Sequence, residues 1–264
     1  MKGWLKSFRD YRFFIVSSIR NELVNQFVRS RLGGFWMIVH PLVMVAIYAF
    51  VLSAVLSAKF DGIDNRYAYA IYLTSGILGW TLFSDIISRN LNLFVGNADL
   101  LKKMKVPKIA LPAVCAGTSL VSHGLLFTAI LVIFGFLGHP PTASLLWLPV
   151  ITAVLLLFSM SLGLVIAVLN VFIRDIAQIV PIVLQFLFWF TPIVYPVVII
   201  PEHFRWALQL NPVYPAIEAY HDVLAYQQAP DLSSLALMAL AGVIFAGLGL
   251  WLVRQASDEM VDVL

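Results

Sequence analysis

Glu218 and Asp222 stand four residues apart, as do Asp85 and Arg89, and side chains at i and i+4 share one face of a helix. Two acids on one face can in principle act as an acid and base pair; the competing reading is a hydrated surface that carries two carboxylates. Asp85 and Arg89, of opposite charge, can pair with each other. His203 and His221 lack the spacing of metal ligands, so no metal is assigned. His40 and His123 are isolated near or within apolar runs, where an imidazole usually serves as a hydrogen-bonding group between packed helices. The single cysteine, Cys115, supports neither a disulfide nor a thiolate cluster. The sequence has no G-x-x-x-x-G-K-[ST] phosphate loop. No catalytic residue and no cofactor is assigned to this chain. If it takes part in active transport, another chain must bind the nucleotide.

The elements that position these groups are apolar. Of the 264 residues, 61% are hydrophobic and 12% charged, the composition of an all-α integral membrane protein. Windows of about 20 apolar residues, long enough to cross a hydrocarbon core of roughly 30 Å, fall at residues 36–57, 67–87, 109–137, 145–170, 176–199 and 235–253. Six spans put both termini on one side. Of the 17 Lys and Arg residues, all but Lys59, Arg66 and Arg205 share that side, and accumulated positive charge makes it cytoplasmic. Spans one, four, five and six contain no Asp, Glu, Lys or Arg, which argues against intrinsic ion coupling. The N-terminus does not have the layout of a cleaved signal peptide.

Three segments do not span. In residues 1–32, Trp4, Phe8, Tyr11, Ile15, Ile19, Leu23 and Phe27 recur with a helical period opposite Lys6, Arg9, Asp10, Arg20 and Asn21. Such an amphipathic helix lies in the membrane interface, with or without a role beyond anchoring. Gly33 and Gly34 then let the chain turn into span one. Residues 97–106 place Lys102, Lys103 and Lys105 around Leu100, Leu101 and Met104. Asn97 or Asp99 can cap a short helix there and Pro107 would end it; so short a helix needs a surface to dock on. Residues 197–233 are too apolar for a solvated loop and too rich in proline to span. Pro215 suits a first helical turn, followed by Ile217, Tyr220 and Leu224 at i, i+3 and i+7. They read as a re-entrant helical hairpin on the outer side.

"RSRLGGFWMIVHPLVMVAIYAFVLS" (29–53), "NADLLKKMKVPKIALP" (97–112), "NVFIRDIAQIVPIVLQFLFWFTPIVYP" (170–196) and "NPVYPAIEAYHDVL" (211–224), in that order, resemble the permease subunit of ABC-type polysaccharide exporters. That family moves lipid-linked O-antigens, capsules and teichoic acids across bacterial membranes. Two positions depart from the pattern, His40 where Asn is usual and His221 where a basic Arg is usual. The resemblance covers nearly the whole chain as one transmembrane domain, residues 1–264. It implies a homodimer in the bacterial inner membrane, bound to two cytoplasmic ATPase subunits that hold ATP and magnesium. It also implies an undecaprenyl diphosphate-type glycan substrate passing between the permeases, and no nucleic acid.

On that footing the residues divide by role. Leu100, Leu101, Lys102, Lys103 and Lys105 would dock the ATPase, with Arg174 and Asp175 as a second contact. Arg29 and Arg31 would meet the lipid diphosphate on the cytoplasmic side, or only pin the helix to head groups. A sugar polymer is held weakly by aromatic rings. Phe186, Trp189, Phe190 and Tyr195 of span five, Tyr48 of span one and Trp80 and Phe83 of span two are the candidates, with Gln185 beside them. On the wheel of span five Phe188 and Tyr195 face away from this group. Pro192 and Pro196 would loosen the helix below an outer gate carrying Glu218, Tyr220 and His221. The competing functions are a permease for a small hydrophobic solute or drug, and a membrane enzyme acting on lipid-linked sugars through Glu218 and Asp222.

Overall fold

The computed structural model describes residues 12–25, 35–36, 38–40, 42–43, 46–47, 63, 67–103, 110–256 and 259–260, without the side chains of Leu100, Leu101 and Lys103. Its helices, in chain order, are α1 Arg12–Asn25, α2 Ala68–Leu91, α3 Ala98–Lys103, α4 Ala110–Phe136, α5 Leu148–Phe172, α6 Ile176–Phe190, α7 Tyr214–Leu224 and α8 Leu232–Gln255. No strand occurs among the described residues. Arg29, Arg31, Gly33, Gly34, Tyr48, Lys105, Pro107 and most of span one lie outside this description.

Helices α2, α4, α5 and α8 are each long and apolar enough to cross a membrane, and they match the expected spans two, three, four and six. Helix α2 is central, packing against α4, α5 and α7. Apolar burial gives helices in lipid little reason to associate, so close approach at small residues must do so. A Cβ at Gly163 of α5 would lie 2.8 Å from Asn90 of α2, and one at Gly242 of α8 would lie 3.2 Å from the Phe158 backbone of α5. The last carbonyls of a helix lack internal partners. Asn170 meets this need for α2, donating its side-chain amide to the Leu91 carbonyl at 2.7 Å. Asp231 caps α8, accepting from the Ser233 and Ser234 amides at 3.0 and 3.3 Å. Hydrogen bonds from these serines pull its carboxyl down to about 2.

Two expectations change. Span five, expected to run to residue 199, ends as a helix at Phe190. Thr191 precedes Pro192, which disfavours helical backbone before it, and Thr191 is accordingly extended (φ −86°, ψ 134°). Tyr195 therefore has no position on that helical wheel. Helix α1 buries Ile15, Ile19 and Leu23 in part, as its period requires, with Ile19 lying over Gly117 of α4. Its other face is not polar throughout, because Phe13, Val16 and Val24 are exposed there beside Arg12 and Arg20. Asn97 directs its side-chain amide back to the Leu93 carbonyl at 2.8 Å.

Candidate functional site

The segment after α6 builds its geometry from one short helix. Pro215 lies in the first turn of α7, and Ile217, Tyr220 and Leu224 are buried. The absence of a side chain at two α2 positions admits this helix. A Cβ at Gly76 would lie 2.5 Å from His221 Nε2, and one at Gly79 would lie 2.7 Å from the Tyr220 ring. Tyr220 is 0% exposed. Its hydroxyl lies 2.9 Å from Thr152 Oγ1 of α5 and 3.2 Å from His123 Nε2 of α4. His221 stacks on Tyr72 with ring centroids 3.8 Å apart. At the far end of α7, His139 Nε2 lies 2.8 Å from the Leu224 carbonyl, and Ser144 donates to the Val223 carbonyl at 2.9 Å.

The chain between α6 and α7 has non-helical carbonyls to satisfy. Tyr69 donates to the Val194 carbonyl at 3.1 Å and Tyr72 to those of Pro192 and Tyr195 at 3.0 and 3.2 Å. Asn211 donates to Thr191 Oγ1 at 2.7 Å. Pro192 and Pro196 are buried in this turn. The two acids of α7 are both engaged locally, Glu218 accepting from the Tyr214 hydroxyl at 2.6 Å and Asp222 from the Gln228 amide at 2.7 Å.

The aromatic candidates separate into two groups. Phe83 is 1% exposed and stacks on Phe158 of α5. Trp80 is buried against Phe83 and against Phe188 of α6, ring centroids 5.5 Å apart in each case. These rings attach α6 to α2. On the opposite side of α6, Phe186 is 64% and Trp189 48% exposed, beside exposed Gln185 and Ile182. Phe190 is half-buried and stacks on Phe186 at 5.6 Å. Tyr195 donates to the Trp189 carbonyl at 2.8 Å. Helix α6 thus turns a mixed aromatic and amide face away from its own chain.

At the opposite end of α2 the expected Asp85–Arg89 pair forms, with Arg89 Nε 2.9 and 2.8 Å from the two carboxylate oxygens. Arg89 also pairs with Glu22 of α1, a partner that sequence spacing did not suggest. Ser119 donates to Asp85 at 2.6 Å and Thr118 to Glu22 at 3.2 Å. The ion chain therefore ties α1, α2 and α4 together. Lys102 is exposed on α3, and Arg174 and Asp175 are exposed in the turn between α5 and α6.

The roles of Tyr69, Tyr72, Glu22 and Asn211 were not anticipated. For the tyrosines a signal existed, since Tyr69 and Tyr72 are three residues apart at the start of a span. Glu22 had none, because its partner is 67 residues away.

Apolar helices long enough to span a membrane, an outward aromatic face on α6 and an ion-linked polar end define a membrane-embedded transport subunit. The chain belongs to the ABC-2 type transporter family, which it matches over residues 14–225. It is 26% identical over 260 residues, 96% of each chain, to an O-antigen export system permease protein RfbA of Klebsiella pneumoniae. A protein of that name from Myxococcus xanthus is 26% identical over 255 residues, again 96% of each chain. The polysialic acid transport protein KpsM of Escherichia coli is 22% identical over 241 residues, 91% of this chain and 92% of that one.

Proposed function

We propose that this chain is the permease subunit of an exporter that carries lipid-linked polysaccharide across the bacterial inner membrane, driven by ATP hydrolysed on a separate subunit. The observation that carries the reading is the face of α6. Phe186 and Trp189 project away from the protein's own core, with Gln185 exposed at the edge of that face where it also borders a pocket with Trp80 and Phe188, and rings beside an amide suit weak, repeated contact with sugar faces and hydroxyls. A second copy of the chain placed against this face encloses a path. With six spans and cytoplasmic termini, the exposed turn at Arg174 and Asp175 would lie with α3 on the ATPase side. Arg29 and Arg31 then stand where a lipid diphosphate arrives.

In this reading α7 is the re-entrant part of the outer gate. It reaches Gly79, the twelfth residue of the 24 in α2, so its inner end lies about half-way along a span. The names of the relatives support a polysaccharide over a small hydrophobic solute, and the local hydrogen bonds of Glu218 and Asp222 disfavour an acid–base pair.

The test is a strain lacking the gene, complemented with wild type or with Phe186→Ala/Trp189→Ala. Wild type should restore surface polysaccharide, and the double variant should restore about a tenth of it, a loss worth roughly 1.4 kcal/mol, at equal membrane abundance. A strain without the chain that keeps normal surface polysaccharide would refute the reading.

A further inference from the structure

We propose that a polar pocket inside the cytoplasmic half of the helices, between α2 and α4 and adjoining Gln185 of α6 along Thr81, Ser84 and Ser88, binds one uncharged sugar unit. The proposal rests on the polysaccharide reading above. Thr81, Ser84, Asp85 and Ser88 recur at i, i+3, i+4 and i+7 along α2, a polar stripe within a membrane helix. Facing it on α4 are Ser119, Ser122 and His123. Between them lies a cavity of about 490 Å³, walled also by Trp36 and His40. Polar side chains at this depth normally serve one another or a polar ligand. Most do have partners here, but one does not. His123 is 7% exposed and uses Nε2 toward Tyr220, while its buried Nδ1 has no hydrogen-bond partner among the described residues.

The chemistry of the walls selects the occupant. Arg89 is held by two carboxylates, Asp85 and Glu22, so the cluster carries one net negative charge and is a poor host for phosphate. The volume far exceeds a single ion and falls among small-ligand sites of roughly 300–1,000 Å³. Serine hydroxyls, a carboxylate, an imidazole and an indole wall match a neutral ring with many hydroxyls. His123 also connects the pocket to the outer segment, because its partner Tyr220 sits at the centre of α7.

The test uses the permease purified with its ATPase and returned to lipid vesicles. Two ligands are compared, the host's lipid-linked glycan and undecaprenyl diphosphate without sugar, each by the concentration that half-stimulates ATP hydrolysis. Ser122→Leu, which fills the pocket from α4, should raise the ratio of the first concentration to the second about tenfold. Ser84→Leu, which fills it from α2, should act alike, and Ser122→Ala should change the ratio less than about threefold. Co-purification with the ATPase and an unchanged melting temperature establish that a variant is folded. An unchanged ratio in either folded leucine variant overturns the proposal. An equal rise for both ligands also overturns it, as the pocket would then not read sugar. So does stimulation that requires sodium or potassium in wild type but not in Ser122→Leu, which would assign the pocket to a cation. If instead wild type gives no stimulation and its loss leaves surface polysaccharide intact, the exporter reading itself fails.

Discussion

The two halves of α2 differ in what surrounds them. From Ile71 to Trp80 every residue is buried, most closely against α7 and the turn after α6. From Thr81 onward the same helix keeps one buried side, with Leu82, Phe83, Ile86 and Ile87, while the other carries hydroxyls, Asp85 and Arg89 and borders open space twice, since Arg89 also edges a cavity of about 740 Å³ beneath α1. Close packing makes the first half intolerant of added volume. On its open side the second half is held by directional polar contacts, which can exchange with water or ligand without opening the core on its other side. The helix is thus enclosed all round in its first half and on one side only in its second.

The largest effect is expected from Gly79→Leu, which drives a side chain into Tyr220 and its partners on α4 and α5. Overpacking at such a site costs about 3 kcal/mol, read as a lowered melting temperature and lost folded yield. A stable Gly79→Leu protein would break the contrast. Tyr72→Phe leaves the Pro192 and Tyr195 carbonyls without their donor and should cost about 2 kcal/mol, with faster proteolysis between residues 191 and 200. Arg89→Gln strands Asp85 and Glu22, but both carboxylates are about one-third exposed. Solvent screening reduces the loss to about 1 kcal/mol, and protease should cut near α1 sooner. An Arg89→Gln effect larger than that of Gly79→Leu would invert the comparison.

The smallest effect belongs to Asp231→Asn, and it depends on pH. The folded carboxyl is held at about 2, below its ordinary 3.8, so its stabilisation is present above about pH 4 and lost as pH falls toward 2. Melting curves of wild type and variant should differ slightly at neutral pH and converge in acid.

Spans two, three, four and six were legible because long apolar windows have no other physical reading, and the i, i+4 spacing of Asp85 and Arg89 was enough to anticipate their pair. Pro215 with Ile217, Tyr220 and Leu224 disclosed α7 and its buried side. Hydropathy alone could not end α6 at Phe190, since Ile193, Val194 and Val197–Ile199 are as apolar as the helix before them. Thr191-Pro192 was the available signal. The division of the aromatics escaped for another reason. A helical wheel ranks positions relative to one another but does not say which side the core occupies, so buried Phe83 and exposed Phe186 looked alike.

The 15 residues of α6 extend about 22 Å at 1.5 Å per residue, against about 36 Å for the 24 of α2. Beside a hydrocarbon layer of roughly 30 Å, so short an apolar cylinder imposes hydrophobic mismatch on one flank of the subunit, and the bilayer there must thin to meet it. Lipid acyl length becomes a control variable. Reconstitution in shorter-chain lipids should relieve the mismatch, and longer chains should aggravate it.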